Sequence, residues 1–231
     1  MKKKLISILK TNFSFALPFY YKIRFVVRAL YLKEPRAHLL WILRRGDKTF
    51  HKNYNLQTNS IFFDVGGFEG EYTEKILNEY GCKSYIFEPH PVYFKKIQKR
   101  FSNNNNVHLL NYGLGAQTEN LFLTDDSESS KVTDKKTELK IIVRDIIEVI
   151  KELDIKKIDL LKLNIEGMEY ALLEHLIETR EIDKIDKLKI QFHENVPNYE
   201  QRRKDIRKKL GKTHKEIWSF YMVWERWDKL I

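Results

Sequence analysis

A chain of 231 residues with 42% hydrophobic side chains suits one sizeable α/β domain with an appendage; it is short for two full domains and too apolar for global disorder. Lys and Arg total 42 against 32 Asp and Glu, a net charge of +10 that favours anionic partners. The single Cys82 excludes an internal disulfide, and no Cys/His cluster has zinc-ligand spacing, which fits a reducing cytoplasm and a protein that holds no metal.

Residues 1–55 read as a basic, amphipathic and helical extension. The first fifty residues hold about a dozen Lys and Arg, with Glu34 and Asp47 as the only acids. The longest uncharged run there, Thr11 to Tyr21, is about half a membrane span and is broken by Pro18. Three readings stay open for it: a helix docked on the domain, peripheral contact with the inner face of an anionic membrane, or a secretory signal without a cleavage site.

From residue 56 onward strands alternate with helices. Ile61–Val65 is a short β-rich run ending at Gly66-Gly67. Glu71–Tyr80 has helical apolar spacing and stops at Gly81. Ser84–Phe87 predicts a second strand, Pro91 opens a helix running to about Phe101, and Val107–Asn111 predicts a third strand. Asn120–Thr124 and Leu139–Val143 read as a strand pair around a polar, mobile loop, Asp125–Thr137. A helix capped by Asp145 runs to Leu153, and a buried strand covers Ile158–Leu163. Then come a helix at Glu169–Thr179, a strand at Leu188–Phe192, a basic helix from Pro197 to Leu210-Gly211, and a last strand over Trp218–Trp224. The expected fold of 56–231 is therefore α/β: a Rossmann-like, doubly wound, mostly parallel sheet with helices on both faces.

Such sheets bind ligands at the carboxyl ends of their strands. The first strand ends in Asp64-Val65-Gly66-Gly67-Phe68-Glu69-Gly70, whose spacing is not that of a dinucleotide fingerprint. Asp64 opposes a pyrophosphate, but suits a cation such as S-adenosylmethionine, a sulfonium with an α-ammonium group. Gly66 and Gly67 permit close backbone approach, and Gly70 lets the next helix pack on the strand. Glu88, ending the second strand, is placed to accept both hydroxyls of a ribose; the alternative is an acid serving the next helix. The fourth strand ends in Lys162-Leu163-Asn164-Ile165-Glu166-Gly167-Met168-Glu169. Glu166 is a candidate base or ammonium ligand there, and Glu169 a first-turn acid. His193, ending the next strand, is a second candidate base, against the plainer reading of a hydrogen-bonded strand-end residue.

Phe63-Asp64-Val65-Gly66-Gly67, Phe87-Glu88-Pro89 and Lys162–Glu169 together resemble the FkbM-type methyltransferases over about residues 60–192. The resemblance implies a class I methyltransferase fold and S-adenosyl-L-methionine as cofactor. It also implies an acceptor hydroxyl, a sugar or glycoconjugate by the family's habit. Asp64, Gly66 and Glu88 carry over as cofactor contacts, and Asn111–Gly115 as an adenine-side loop with Tyr112 or Leu114 against the base. The family's usual Asp is Asn164 here, so that position offers an amide rather than a carboxylate base. Two rivals remain: an RNA methyltransferase, prompted by the charge though no RNA-binding module is visible, and an inactive cofactor-binding scaffold.

Overall fold

The computed structural model describes residues 17–123, 132–133 and 139–230; the expectations for residues 1–16 and for most of the polar loop 125–137 lie outside them. The chain forms two compact units: Met1–Thr49 with Phe220–Val223, and Phe50–Ser219 with Trp224–Ile231.

The first unit contains helices α1 (Leu17–Tyr31), α2 (Lys33–Leu43) and α3 (Gly46–Thr49). Arg36 ties the first two together by donating to the carbonyls of Ala29 (3.1 Å) and Leu30 (2.6 Å) at the end of α1. Along α1, Phe19, Ile23, Val26, Val27 and Leu30 recur at helical spacing, and all are exposed. No helix among the described residues is long and apolar enough to cross a membrane.

The second unit is the α/β sheet. In chain order it holds β1 (Ile61–Val65), α4 (Glu71–Tyr80), β2 (Lys83–Phe87), α5 (Pro91–Arg100), β3 (Val107–Leu110), β4 (Gly113–Gly115), β5 (Glu119–Leu123), β6 (Val132–Thr133) and β7 (Leu139–Asp145). There follow α6 (Ile146–Glu152), β8 (Leu160–Leu163), α7 (Glu169–Glu178), β9 (Lys187–Ile190), α8 (Tyr199–Leu210), β10 (His214–Phe220) and β11 (Trp224–Lys229). Local chemistry sets the helix ends. Asp145 accepts from the Ile147 amide at 2.7 Å to cap α6, and Gly81 closes α4 in the left-handed conformation, its amide bonded to the Leu77 carbonyl.

One seven-stranded sheet runs β10-β11-β9-β8-β1-β2-β3. Its inner strands are parallel, and β11 is antiparallel to β9. Phe62, Phe63, Val65, Leu160, Leu161 and Leu163 are fully buried, as strands covered on both faces must be. The order reverses between β1 and β8, which makes their carboxyl ends the switch point of the sheet. A smaller sheet, β4-β7-β5-β6, contains the predicted strand pair as antiparallel β5 and β7.

One expectation is corrected. The last strand does not run through Trp218–Trp224: residues 221–223 are a turn between β10 and β11, with Met222 at φ +54°. In α8 the three arginines are paired within the fold, while Lys204, Lys208 and Lys209 are exposed. Arg202 forks onto Glu174 (2.9 and 2.5 Å), while Arg203 and Arg207 both pair with the buried Glu225 and Arg207 also with Glu216. Most of its guanidinium charge is neutralised within the fold.

Candidate active site

The carboxyl ends of β1, β2, β3, β8 and β9 are joined by hydrogen bonds into one continuous edge. After β1 the backbone turns sharply: the amides of Gly66 and Gly67 donate to the Phe87 carbonyl of β2 (3.0 and 3.3 Å), and Gly66 has φ +81°. A Cβ on Gly66 would sit 2.0 Å from the Asn164 carbonyl, so only glycine lets the β1 and β8 loops approach this closely. Gly67 lies against Ile86. Gly70 precedes α4 and lies against Phe101 at the end of α5, so its close neighbour is that helix end and not the strand.

Glu88 is buried just beyond β2. Its carboxylate accepts from the Phe68 amide (2.8 Å) of the glycine loop and from the His90 amide (2.9 Å). Burial pushes its pKa up to about 7 against the counter-pull of those two amides. From the β3 side, the Asn111 amide donates to the Glu88 carbonyl at 2.9 Å.

Asp64 is 0% exposed, and both its oxygens are engaged: Oδ1 by Lys162 Nζ at 2.7 Å, Oδ2 by the Thr73 hydroxyl at 2.6 Å. The same Lys162 ammonium donates to the Gly66 carbonyl at 2.6 Å. The expectation of an open negative charge at the loop is thereby corrected, because Lys162 neutralises it. Asp64 reaches the loop through Lys162, holding the turn from below.

Beyond β8 the Asn164 amide is bonded to the Val65 carbonyl (3.1 Å). The side-chain Oδ1 of Asn164 is buried with no hydrogen-bond partner among the described residues. Glu166 stands in the left-handed region at φ +54°, a conformation that needs support from its surroundings. Asn195, beyond β9, supplies it by donating to the Glu166 carbonyl at 2.9 Å. Glu169, 0% exposed in the first turn of α7, accepts from the amides of Ile165 (2.7 Å) and Gly167 (2.9 Å) and meets His193 Nδ1 at 2.9 Å. His193 Nε2 lies 3.6 Å from Glu166 Oε1.

The structure therefore gathers Asp64, Gly66, Gly67, Glu88, Asn164, Glu166 and His193 on one edge. Tyr112 stands beside it, its ring 5.9 Å from Phe87 and under the Arg144 guanidinium at 5.1 Å, while Leu114 is buried in β4. His90 caps α5 by accepting from the Val92 amide at 3.3 Å, and His214 is buried against the Ile185 carbonyl. Sequence reasoning carried Lys162 and Asn111 only as members of motifs and gave Asn195 no role, because the partners of all three lie far away in sequence, where no local spacing marks them.

A parallel sheet reversing between β1 and β8, with an antiparallel penultimate strand and polar loops at one edge, has the architecture of the Rossmann-like methyltransferases. The description of the Methyltransferase FkbM domain matches residues 61–227. The chain belongs to the FkbM methyltransferase family, and S-adenosylmethionine is its cofactor. Among solved structures it is similar to a putative rRNA-methylase from Clostridium thermocellum (8% identity, TM-score 0.50, covering 82% of this chain and 96% of that one). It is also similar to an rRNA methylase from Streptococcus thermophilus (13%, 0.46, 76% and 90%). A third is SMU.1697c, a putative methyltransferase from Streptococcus mutans in complex with SAH (14%, 0.45, 76% and 91%). At these identities the likeness is one of fold. No curated protein matches the chain.

Proposed function

We propose that this protein methylates a hydroxyl group on a sugar or glycoconjugate. The observation that carries the reading is the set of polar groups gathered on the shared edge: the buried Glu88 carboxylate, the unpartnered Asn164 Oδ1, and His193 beside Glu166. When bound, S-adenosylmethionine supplies a methyl carbon already activated for displacement, its sulfur keeping the electron pair of the bond that breaks. The chain's own residues then have two tasks. Glu88 holds ribose hydroxyls and Asn164 Oδ1 accepts from the ammonium group, so each ligand atom meets a group of opposite character. Tyr112 lines the base side. On the acceptor side, His193 or Glu166 takes the hydroxyl proton, a task worth roughly 10²–10⁴ in rate. Holding the acceptor in line contributes more, on the order of 7–11 kcal/mol.

The sugar class rests on the family resemblance. Incubating the protein with labelled S-adenosylmethionine and separated glycan, lipid and RNA fractions of a host extract tests it. Label is expected in the glycan or glycolipid fraction; label in RNA alone would replace this reading with its rival, and label in none would favour an inactive scaffold.

We also propose that the helical unit meets its acceptor at an anionic bilayer surface. The exposed stripe of α1 supplies apolar contact, and Lys22, Arg24, Arg28 and Lys33 supply charge beside it. Co-sedimentation is expected with phosphatidylglycerol vesicles and not with phosphatidylcholine vesicles, weakening at high salt. The Val27→Glu, Leu30→Glu double variant should lose binding by tenfold or more, about the effect of burying two charges in place of two aliphatic side chains. Retention by that variant would remove α1 as the contact.

A further inference from the structure

We infer that Glu169 is a positioning residue that makes Nε2 of His193, rather than the Glu166 carboxylate, the atom that accepts the acceptor's hydroxyl proton. This rests on the methyltransferase reading above. Glu169 is fully buried, and each of its oxygens meets a backbone donor. Oε1 accepts from the Ile165 amide and Oε2 from the Gly167 amide, and His193 Nδ1 approaches Oε1 at 2.9 Å. Both oxygens already act as acceptors toward backbone amides, and in that role Oε1 bonds Nδ1 when that nitrogen holds the ring hydrogen. The neutral ring is thus held as the Nδ1–H tautomer, and Nε2 carries the basic lone pair.

The surroundings favour the protonated product as well. His193 is 17% exposed at the end of β9, with Glu169 facing it from α7 and Glu166 Oε1 3.6 Å from Nε2. When the hydroxyl proton moves to Nε2, two carboxylates flank the imidazolium, and the proton later leaves to water. The ring is held in place from its backbone too: the Tyr170 hydroxyl, one residue after Glu169, donates to the His193 carbonyl at 2.9 Å. The plainer role for Glu169, an acid that only ties down the loop before α7, uses the two amides and has no need of the imidazole. The two roles differ in what they do to His193.

Nitrogen-15 NMR of histidine-labelled protein separates them. His193 is assigned by its disappearance in His193→Gln. The wild-type neutral ring is expected to be mainly Nδ1–H, the reverse of free histidine, and Glu169→Gln is expected to lower its titration midpoint by about one pH unit. In the extract assay, His193→Gln should lose roughly 10²–10⁴ of the rate. Glu169→Gln should move the acidic limb of the pH–rate profile down by the same shift as the NMR midpoint. An Nε2–H tautomer in the wild type, which needs no variant to fold, would overturn the positioning role, as would an unmoved midpoint in Glu169→Gln. S-adenosylhomocysteine calorimetry on the same samples keeps the two questions apart. Wild type and His193→Gln binding alike supports the site reading, whereas absence of binding overturns that reading whatever the tautomer.

Discussion

Replacing Glu88 by alanine is expected to weaken S-adenosylhomocysteine binding by about 10²–10⁴-fold, the loss of two hydrogen bonds to a charged acceptor at roughly 1.5–3 kcal/mol each. The pH dependence is the sharper signature. Burial raises the Glu88 pKa to about 7, so the carboxylate that ribose hydroxyls need is in place above that value and is lost below it. The dissociation constant should be flat above about pH 8 and rise roughly tenfold per unit below pH 7. In Glu88→Gln it should be weak at every pH. Stability of the free protein moves in the opposite sense. The folded pKa lies above the usual 4.5, so between pH 4.5 and about 7 the folded state keeps a proton that the unfolded chain has released. This one group therefore lowers stability as pH rises through that window, by on the order of 3 kcal/mol in all. Calorimetric titrations and denaturant melts at pH 5.5, 6.5 and 8 check both halves. A pH-independent affinity in the wild type would remove Glu88 from the ribose.

The second large effect is expected at Lys162. Lys162→Met leaves Asp64 buried, charged and without its ammonium partner, which costs about 3–5 kcal/mol. For a chain of 231 residues that corresponds to a melting point lower by about 10 °C. Adding Asp64→Asn should recover most of the loss, because a neutral amide can still face Thr73. Cofactor binding should not recover with it, since Lys162 also donates to the Gly66 carbonyl and so holds the loop that receives the ligand. A thermal-shift series over the single and double variants, with and without S-adenosylhomocysteine, separates fold from site. Equal ligand shifts in the wild type and the double variant would make the pair purely structural.

These two residues illustrate what the amino-acid pattern discloses. Strands such as Ile61–Val65 and helices such as Glu71–Tyr80 were legible because their apolar spacing and their Gly or Asp ends are local signals. The edge assembled by Glu88, Asn164 and Glu166 was legible because a parallel sheet puts all its strand-ending loops on one side. Electrostatics was not legible. Asp64 reads as an exposed charge until β8 places Lys162 beside it, a pairing between positions 98 residues apart by number that no motif spacing encodes. The strand ending the chain was misread because large residues continue through Tyr221, Met222 and Val223, a turn with no Gly, Pro or Asn to mark it. The three-residue β4 escaped for the opposite reason, since Gly113-Leu114-Gly115 has the composition of a loop and becomes a strand only by pairing with β7.

The near-contact of Gly66 with the Asn164 carbonyl, and the bridge from Lys162 to the Gly66 carbonyl, have a further consequence for dynamics. The contacts that bring the β1 and β8 loops together join segments distant along the chain, so their approach depends on the pairing of the two strands. The site exists only while the two central strands stay zipped, and it opens as one cooperative unit when they part. A ligand spanning that seam acts as a clasp, slowing amide exchange in both strands together rather than in the nearest loop alone.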